Sequence, residues 1–262
     1  MAQGEFSPQS IGGLKLWLRA DSGVTHSSGL VSQWVDSIGT VPFSGGTNLP
    51  MFASNDPQMN GRPRIRFSSN GINPQYLVNS PANFPAVCGA SSFTVVSIAR
   101  PQLSTVSPAR YRYLKFDGAG TSGYFLASFT NSIGTGNYFS AFRFREPENY
   151  LQGKMSNSEA EAGVSPIFSA FTKSGSTSAI NQNGLNSQAN DLLEPPVAFT
   201  EIACGSFDIS VGIGYENSTL AGIIDIAEIL IYDRALGTQE VDALGCYARS
   251  KYAISNYTGP CN

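Results

Sequence analysis

The chain has 262 residues, of which 41% are hydrophobic and 13% are charged, about half the charged share of an average globular protein. The net charge of −3 provides no basic field for phosphates, and no apolar run approaches the roughly 20 residues of a membrane-spanning helix. Composition therefore argues against nucleic-acid binding and against membrane insertion. The polar residues are mainly Ser, Asn, Thr, Gln and Gly, a mixture typical of loop-rich β proteins that work outside cells.

Short runs of alternating apolar residues, separated by turn signals, predict an all-β protein with its strands in two packed antiparallel sheets. The predicted strands are, in chain order, Gly13–Arg19, Leu30–Asp36, Pro63–Phe67, Phe93–Arg100, Tyr111–Asp117, Tyr124–Thr130, Tyr138–Arg145, Ile167–Thr172, Thr177–Asn181, Ala198–Cys204, Phe207–Ile213 and Gly222–Tyr232. In the third strand we expect Ile65 and Phe67 to point inward, and Arg64 and Arg66 outward.

The connections are rich in turn residues. Asn183–Gly184 lies between two short runs and predicts a hairpin, and Asn60–Gly61 predicts another turn. Met51–Met59 and Asn149–Ser165 are interpreted as long loops. The sequence has no linker-like composition break and no internal repeat, so residues 1–262 are predicted to form a single domain.

The last predicted strand is apolar on both faces, which predicts that a layer covers it on each side. Strict alternation places Ile223, Asp225, Ala227, Ile229 and Ile231 on one face, and Ile224, Ile226, Glu228, Leu230 and Tyr232 on the other.

The two ends of the chain have their own predicted elements. Residues 1–12 are expected to form a short N-terminal arm, and residues 238–262 a C-terminal helix with a tail. Thr238 is the expected N-cap of the helix. Four residues at helical spacing share one apolar side: Val241, Leu244, Ala248 and Tyr252.

The four cysteines lack the C-x-x-C spacing of zinc sites, which argues against zinc. Cys246 and Cys261 lie fifteen residues apart, in the helix and the tail, and a disulfide between them would pin the tail. The alternative is that the cysteines are buried free thiols.

Three blocks carry a resemblance to a known family. They are Leu16–Gly23, then Val31–Asp36 with Asn60–Phe67, and finally Asp225–Leu236 with Glu240 and Ala248–Tyr252. The chain resembles the concanavalin A-like, laminin G-like jelly-roll modules of bacterial and phage surface proteins, with Arg19 where Asp is commoner. The resemblance implies a two-sheet jelly roll that binds glycans or proteins at loops on one rim. It also implies that Trp17 and Trp34 are core aromatics and that Arg234 pairs with a carboxylate.

The same architecture hosts glucanases that share an E-x-D-x-x-E motif on a central strand. Aligning Ile223–Glu228 with this motif keeps Asp225 and Glu228 but places Ile223 where the nucleophilic carboxylate should be. A retaining mechanism needs two carboxylates about 5 Å apart, so we expect no catalysis by this motif. Asp225 and Glu228 are instead expected to support turns or to pair with Arg234.

The sequence offers few candidate residues for other kinds of catalysis or for cofactor binding. His26 is the single histidine and lies in Val24–Gly29, interpreted as a turn-like segment where a solvated side chain is expected. The sequence has no nucleophile elbow, phosphate loop or dinucleotide fingerprint. No cofactor is predicted. The sequence does not decide whether a structural calcium ion is bound. The candidate ligands are Asp21, Asp36, Asp117, Asp208 and Asp225.

Sugar sites combine an aromatic platform with amide or carboxylate groups that bond to hydroxyls. Four loop pairs have these residue types and are candidate glycan contacts: Asn73 with Tyr76, Asn137 with Tyr138, Asn149 with Tyr150, and Tyr215 with Asn217. The alternative is that these aromatic residues serve the core, since the chain has 11 Tyr and 16 Phe.

The first hypothesis is a non-catalytic surface module on a virion, acting as a head decoration or as a tail or fibre adhesin for host glycans. The sequence starts without the charged and apolar segments of a secretory signal, and release of virus particles by lysis would need none. Its partners would be shell or tail proteins or cell-surface glycans, with a homo-oligomer allowed. The alternatives are a secreted bacterial carbohydrate-binding module, and a glycan-cleaving enzyme with other carboxylates.

Overall fold

The computed structural model confirms an all-β protein with one C-terminal helix in the part of the chain that it describes. That part comprises residues 6–39, 41–69, 75–79, 90–102, 110–116, 124–131, 137–145, 151–155, 160–161, 165–175, 177–187, 190–191, 209–212 and 222–261. The strands are β1 (Leu14–Arg19), β2 (Val24–Ser27), β3 (Leu30–Val35), β4 (Pro42–Gly45), β5 (Met51–Asp56), β6 (Arg62–Ser69), β7 (Tyr76–Asn79), β8 (Ser92–Pro101), β9 (Arg110–Phe116), β10 (Tyr124–Asn131), β11 (Asn137–Arg145), β12 (Leu151–Met155), β13 (Ala160–Glu161), β14 (Ile167–Ser174), β15 (Thr177–Gln182), β16 (Leu185–Ser187), β17 (Asn190–Asp191), β18 (Ile209–Gly212) and β19 (Gly222–Tyr232). The helices are α1 (Thr238–Tyr252) and two short 3₁₀ helices, Pro8–Ser10 and Pro57–Met59.

Two antiparallel sheets contain these strands. Sheet I has the order β5–β6–β19–β8–β14–β15–β16, and β1 continues the line of β6 along the same edge of β19. Sheet II has the order β2–β3–β4–β7–β18–β9–β10–β11–β12–β17, with β13 also on β11. Within the described ranges, the pair Leu30 and Met51 is the single bridge between the sheets. The two sheets form a sandwich.

The main core lies between the two sheets. Apolar side chains with almost no exposure fill it, among them Leu16, Leu18, Ile65, Phe67, Phe93, Val95, Ile229 and Ile231 from sheet I, and Val31, Trp34, Phe43, Leu77, Phe129 and Phe142 from sheet II. The rings of Phe142 and Phe171 stack across the interface with their centroids 4.6 Å apart. The inward positions of Ile65 and Phe67 and the core position of Trp34 are confirmed.

A third layer covers the outer face of sheet I. It consists of α1 and the tail, which pack on Trp17, Val96, Ile98, Phe168, Ala170, Leu230 and Tyr232. The helix buries Val241, Leu244, Ala248 and Tyr252, as its sequence spacing predicted. Trp17 is 5% exposed and belongs to this second core, so its prediction as a core aromatic is confirmed. Neither α1 nor any other described helix is long and apolar enough to cross a membrane.

A disulfide and a hydrogen bond to a hairpin are among the contacts that hold the C-terminal tail. A disulfide joins Cys246 of α1 to Cys261, with Cα atoms 5.5 Å apart, which confirms the predicted pair. Thr258 donates its backbone N–H to the Asn183 carbonyl at 2.8 Å, at the tip of the β15–β16 hairpin. Cys88 and Cys204 lie outside the described residues.

That hairpin confirms the Asn183–Gly184 prediction. Both turn residues have positive φ, 51° and 85°, as a tight turn between twisted strands requires. Asn60 and Gly61 also have positive φ, 56° and 71°, and form the predicted turn before β6.

A β-bulge corrects the predicted alternation in β19. Ile226 pairs with Ala99 and Glu228 with Ile98, so Ala227 is an extra residue in the ladder. The bulge inverts the alternation after this point. The main core therefore receives Ile224, Ile226, Ile229 and Ile231, whereas the face toward α1 carries Asp225, Glu228, Leu230 and Tyr232. The prediction that both faces are covered is confirmed, since all residues of β19 except Ile223 are buried.

Several loop predictions were wrong. Met51–Met59 is not a loop, because it forms β5 and a 3₁₀ helix that pair and pack with β6. Asn149–Ser165 contains β12 and β13, which both pair with β11. Val24–Gly29 is strand β2 up to Ser27, and only Ser28 and Gly29 form the turn.

The observed boundaries of other elements also differ from the predicted ones. The N-cap of α1 is Gly237 rather than Thr238, and the Glu240 carboxylate accepts a hydrogen bond from the Gly237 N–H at 3.0 Å. The predicted strand Ala198–Cys204 lies outside the described residues, and Phe207–Ile213 is described as β18 alone.

Candidate functional site

A groove of about 590 Å³ opens between α1, the start of the chain and the edge of sheet I. Its lining combines aromatic, charged and small side chains. The lining residues are Phe6, Ser7, Pro8, Trp17, Arg19, Asp21, Arg62, Ala243, Cys246, Tyr247, Ser250 and Lys251. Aromatic rings beside hydrogen-bonding groups of both charge signs suit a polar ligand with apolar faces.

Strand β1 supplies the sheet side of the groove. Leu16 and Leu18 point into the main core, so alternation turns Trp17 and Arg19 to the outer face. The backbone here is fixed from both sides, since the Trp17 N–H donates to Asp36 Oδ1 at 2.7 Å and Trp34 Nε1 donates to the Arg19 carbonyl at 2.8 Å. The groove wall is therefore rigid where it meets the sheet.

Helix α1 supplies the opposite wall. Ala243, Tyr247 and Lys251 follow one another at intervals of four residues, and Cys246 and Ser250 lie between them on the same side. This side is next to the buried face of the helix, so Tyr247 and Lys251 are half-buried. The disulfide at Cys246 ties this wall to the tail.

Glu228 lies beneath the groove and is fully buried. Its Oε2 accepts from Trp17 Nε1 at 2.7 Å, and its Oε1 accepts from Tyr247 at 2.8 Å, Lys251 Nζ at 2.7 Å and the Tyr252 hydroxyl at 2.6 Å. Four donors therefore hold one carboxylate. Burial, followed by the charge of Glu228, raises the pKa of both tyrosines far above 10, which keeps their hydroxyls protonated as donors.

The charged rim of the groove centres on Asp21. Its carboxylate accepts from Arg19 Nε at 2.8 Å and pairs with Lys251 Nζ at 2.9 Å. Burial raises the pKa of Asp21, but these hydrogen bonds lower it by more, so the net pKa lies below its ordinary value of 3.8. The Arg19 guanidinium also lies over the Trp17 ring, 4.6 Å from its centroid.

A separate ion-pair cluster surrounds Asp225, further along the same face. Arg66 binds this carboxylate through two nitrogens, at 2.7 and 2.9 Å, and Arg100 Nη2 lies 2.7 Å from Oδ2. Arg64 pairs with Asp225 at 3.2 Å and with Asp56 at 2.7 Å. Arg64 and Arg66 lie on the outer face of sheet I, as predicted. Both side chains form ion pairs there.

The predicted roles of the acidic pair are corrected by these contacts. Asp225 and Glu228 share a face, yet neither supports a turn and neither pairs with Arg234. Arg234 instead binds Glu240, with Nη1 and Oε2 2.9 Å apart, which confirms the prediction that it pairs with a nearby carboxylate. Ile223, at the position of the missing nucleophile, is 38% exposed.

The structure describes three members of the predicted sugar-binding pairs, and Tyr76 lies far from Asn137 and Tyr138. Tyr76 lies in β7 and packs across Gly46, whereas Asn137 and Tyr138 lie in β11. Three strands separate β7 from β11 in sheet II, a distance of about 19 Å at roughly 4.8 Å per strand. The other predicted contacts lie outside the described residues: Asn73, Asn149, Tyr150, Tyr215 and Asn217. Tyr76, whose side chain is described, does not line the groove.

The three described candidate calcium ligands have separate surroundings. Asp21 and Asp225 are in the two ion-pair clusters, and Asp36 caps a turn by accepting from the Ile38 and Gly39 N–H groups. No three His, Cys, Asp or Glu side chains of the described ranges converge on one point. Asp117 and Asp208 fall outside these ranges, and the structural cation stays a prediction.

His26 is exposed and stacks on Phe52, with ring centroids 4.5 Å apart. The structure therefore places it on the side of a strand, away from the groove lining.

Sequence reasoning did not assign Tyr247 and Lys251 to a site. Their spacing of four residues, next to the buried face of α1, could have indicated them. This spacing places an aromatic ring and a cation together on one side of the helix, at the border between its buried and exposed faces. Arg19 was noticed only as a departure from a family pattern.

The fold and the groove define a β-sandwich protein in which one helix covers an outer sheet face and leaves a polar, aromatic-lined cleft at its border. Solved structures share this fold. They include the binding domain of Paraclostridial Mosquitocidal Protein 1 (14% identity, TM-score 0.59, 89% of this chain and 52% of that chain). They also include botulinum neurotoxin type C, whose cell entry depends on interaction with two ganglioside molecules (13% identity, TM-score 0.62, 90% and 51%).

A third similar structure is the ligand-binding domain of botulinum neurotoxin serotype D in complex with N-acetylneuraminic acid (12% identity, TM-score 0.59, 91% and 52%). This chain spans about half the length of these structures. At such identities the likeness is one of fold. No family model and no curated protein sequence matches the chain.

Proposed function

We propose that this protein is a non-catalytic carbohydrate-binding module with a concanavalin A-like jelly-roll fold. The observation that carries the proposal is the groove, in which Phe6, Trp17 and Tyr247 lie beside Arg19 and Lys251. Sugars present apolar ring faces and hydroxyl edges, and this combination of rings and donors matches both.

The size of the groove supports a ligand of one or two sugar rings. A volume of about 590 Å³ lies within the range of roughly 300 to 1,000 Å³ of small-molecule sites. The walls are fixed by Asp36, Trp34 and the disulfide, so little ordering entropy would be lost on binding.

The surroundings of the acidic groups support a role without catalysis. A general acid or nucleophile needs a carboxylate that can reach substrate, whereas Asp225 and Glu228 are fully buried and held by several donors each. Asp21 is bound to two cations at the groove rim. These three carboxylates are therefore assigned to structure.

The structural comparisons support the same class of function. Three of the similar structures concern a binding domain, a toxin that interacts with gangliosides and a domain in complex with N-acetylneuraminic acid.

The proposal is tested by filling the groove. Ser250 lies in the lining and is exposed, so Ser250→Trp should block the site without disturbing the core. Gln239→Trp places the same ring at an exposed position of α1 outside the lining and serves as the matched control. On a glycan array, we expect the wild type and Gln239→Trp to bind the same glycans. Ser250→Trp should lose at least about tenfold in affinity, equivalent to about 1.4 kcal/mol. Absence of any glycan binding by the wild type would refute the function.

We further propose that residues 1–262 act as one module displayed outside cells or on a virion surface. Mass spectrometry of purified virus particles that contain this polypeptide would support the virion setting. A longer native gene with an export signal would instead support a secreted bacterial carbohydrate-binding module.

A further inference from the structure

We infer that the groove selects saccharides that carry a carboxylate, and that Arg19 is the residue that binds it. This inference rests on the proposed carbohydrate-binding function and adds the chemical class of the ligand.

The first observation is the state of the Arg19 guanidinium. Its Nε donates to Asp21 at 2.8 Å and its Cζ lies over the Trp17 ring, but its two terminal nitrogens donate to no acceptor among the described residues. The side chain is 30% exposed and lines the groove. A guanidinium presents these two nitrogens as a fork that matches the two oxygens of a carboxylate.

The second observation is that the fork is held in place before any ligand arrives. Asp21 accepts from Nε, the Trp17 ring lies against Cζ, and the Arg19 carbonyl accepts from Trp34 Nε1. An arginine that is already ordered loses less side-chain entropy on binding than a free surface arginine. The Lys251 ammonium, by comparison, already pairs with Asp21 and donates hydrogen bonds to Glu228 and Tyr247.

The third observation is the charge of the groove. Arg19, Arg62 and Lys251 carry three positive charges, against the two negative charges of Asp21 and the buried Glu228, so the site has a net charge of +1. The whole chain has a net charge of −3. The groove is thus a local positive region on a negative protein, which favours an anionic ligand over a neutral one.

The inference is tested with matched saccharides. The probes are immobilised oligosaccharides ending in N-acetylneuraminic acid or glucuronic acid, the same oligosaccharides with the carboxyl reduced to an alcohol, and neutral and sulfated oligosaccharides. The variants are Arg19→Gln, which removes charge and fork, and Arg19→Lys, which keeps the charge alone. Lys15→Gln removes one exposed cation from the same strand outside the groove lining and is the control.

We expect the wild type and Lys15→Gln to bind the carboxylate forms about 10- to 100-fold more tightly than the reduced forms, as for a charge-assisted hydrogen-bond pair. Arg19→Gln should abolish this preference, so that the carboxylate and reduced forms bind with equal affinity, and Arg19→Lys should recover only a small part of it. Thermal melting of each variant verifies that the fold is intact.

Other outcomes distinguish failure of the carboxylate preference from failure of glycan binding. Equal affinity for carboxylate and reduced forms, with neutral glycans bound in the groove, would overturn the inference and leave the proposed function standing. A preference that survives in Arg19→Gln, or that favours sulfated ligands over carboxylates, would also overturn it. Absence of binding to every saccharide would overturn both.

Discussion

Trp17 and Glu228 join the first and last strands of the protein: the indole Nε1 donates to the buried Glu228 carboxylate at 2.7 Å. The same carboxylate accepts from Tyr247, Lys251 and Tyr252 of α1. One acidic side chain therefore anchors the helix layer to sheet I directly below the groove.

Replacing Glu228 should destabilise the protein strongly. Glu228→Ala leaves a buried indole and two hydroxyls without their acceptor and leaves Lys251 with Asp21 as its remaining carboxylate. Loss of one partner from a buried ion pair costs about 3–5 kcal/mol. Glu228→Gln keeps the shape but loses the charge, so a smaller loss of about 1–3 kcal/mol is expected. Urea unfolding measures both values.

The control for this experiment is Asp233→Asn, which breaks the exposed pair between Lys15 and Asp233 at 3.2 Å. Exposed pairs contribute about 0–1 kcal/mol, so this variant should unfold close to the wild type. A Glu228→Ala variant as stable as Asp233→Asn would contradict the anchoring role.

Gly245 should not tolerate a side chain, because the ring of Tyr257 lies directly against it. A Cβ at this position would overlap the Tyr257 hydroxyl and ring carbons. Alanine favours a helix over glycine by about 1 kcal/mol, but the overlap should displace the tail and give a net loss of about 1–3 kcal/mol. Gly12→Ala is the control, since a Cβ there meets no atom within 4 Å. Equal melting temperatures for the two variants would show that the tail does not pack as described.

Removal of the disulfide should loosen the tail. The bridge between Cys246 and Cys261 closes a 15-residue loop, for which the chain-entropy model gives about 3 kcal/mol. The double variant Cys246→Ser/Cys261→Ser should lose roughly this stability in urea unfolding, and the amide of Thr258 should exchange faster with solvent. Unchanged stability and exchange would mean that the contacts of Tyr257 and Thr258 hold the tail unaided.

Stability should fall in acid. The pKa values of Asp21 and Asp56 lie below their ordinary 3.8, and that of Glu240 below its ordinary 4.5. Burial raises the pKa of both aspartates, but the hydrogen bonds from arginines and lysine lower it by more. For Glu240 the hydrogen bond from Arg234 is the largest cause.

The sign follows from proton binding. At a pH between the two pKa values, the unfolded chain binds more protons at these groups than the native protein, so stability rises with pH there. Their contribution is present above about pH 4.5 and is lost as pH falls through the lowered native values. Unfolding free energy measured from pH 7 to pH 2 should show this decline, and Asp21→Asn should make it shallower. A flat profile would contradict the ion pairs at Asp21 and Asp56.

Local sequence pattern predicted most of the scaffold. Gly222–Tyr232 was identified with its observed ends because a long apolar run is bounded by turn residues. The buried face of α1 followed from helical spacing, and the Asn183–Gly184 hairpin from the need for positive φ. Met51–Asp56 was missed as a strand because its polar residues pair with β6 without an apolar alternation to reveal it.

The bulge at Ala227 marks where local pattern failed. Nothing in the run of Ile, Ala and Glu identifies the extra residue, because a bulge depends on the register with β8. Its effect is large, since it moves Glu228 to the face of α1 and brings Ile229 into the main core.

By itself, the sequence determined the all-β class, the covered last strand and the C-terminal helix, because these depend on residues close together in the chain. It left the pairing of Cys246 with Cys261 as one of two alternatives, and the structure decided it. Only the tertiary structure decided the groove, which gathers Phe6, Arg19, Arg62 and Lys251 from four separate parts of the chain. Ion-pair partners such as Arg66 and Asp225 are 159 residues apart, and such partners are set by strand register and layer packing rather than by local spacing.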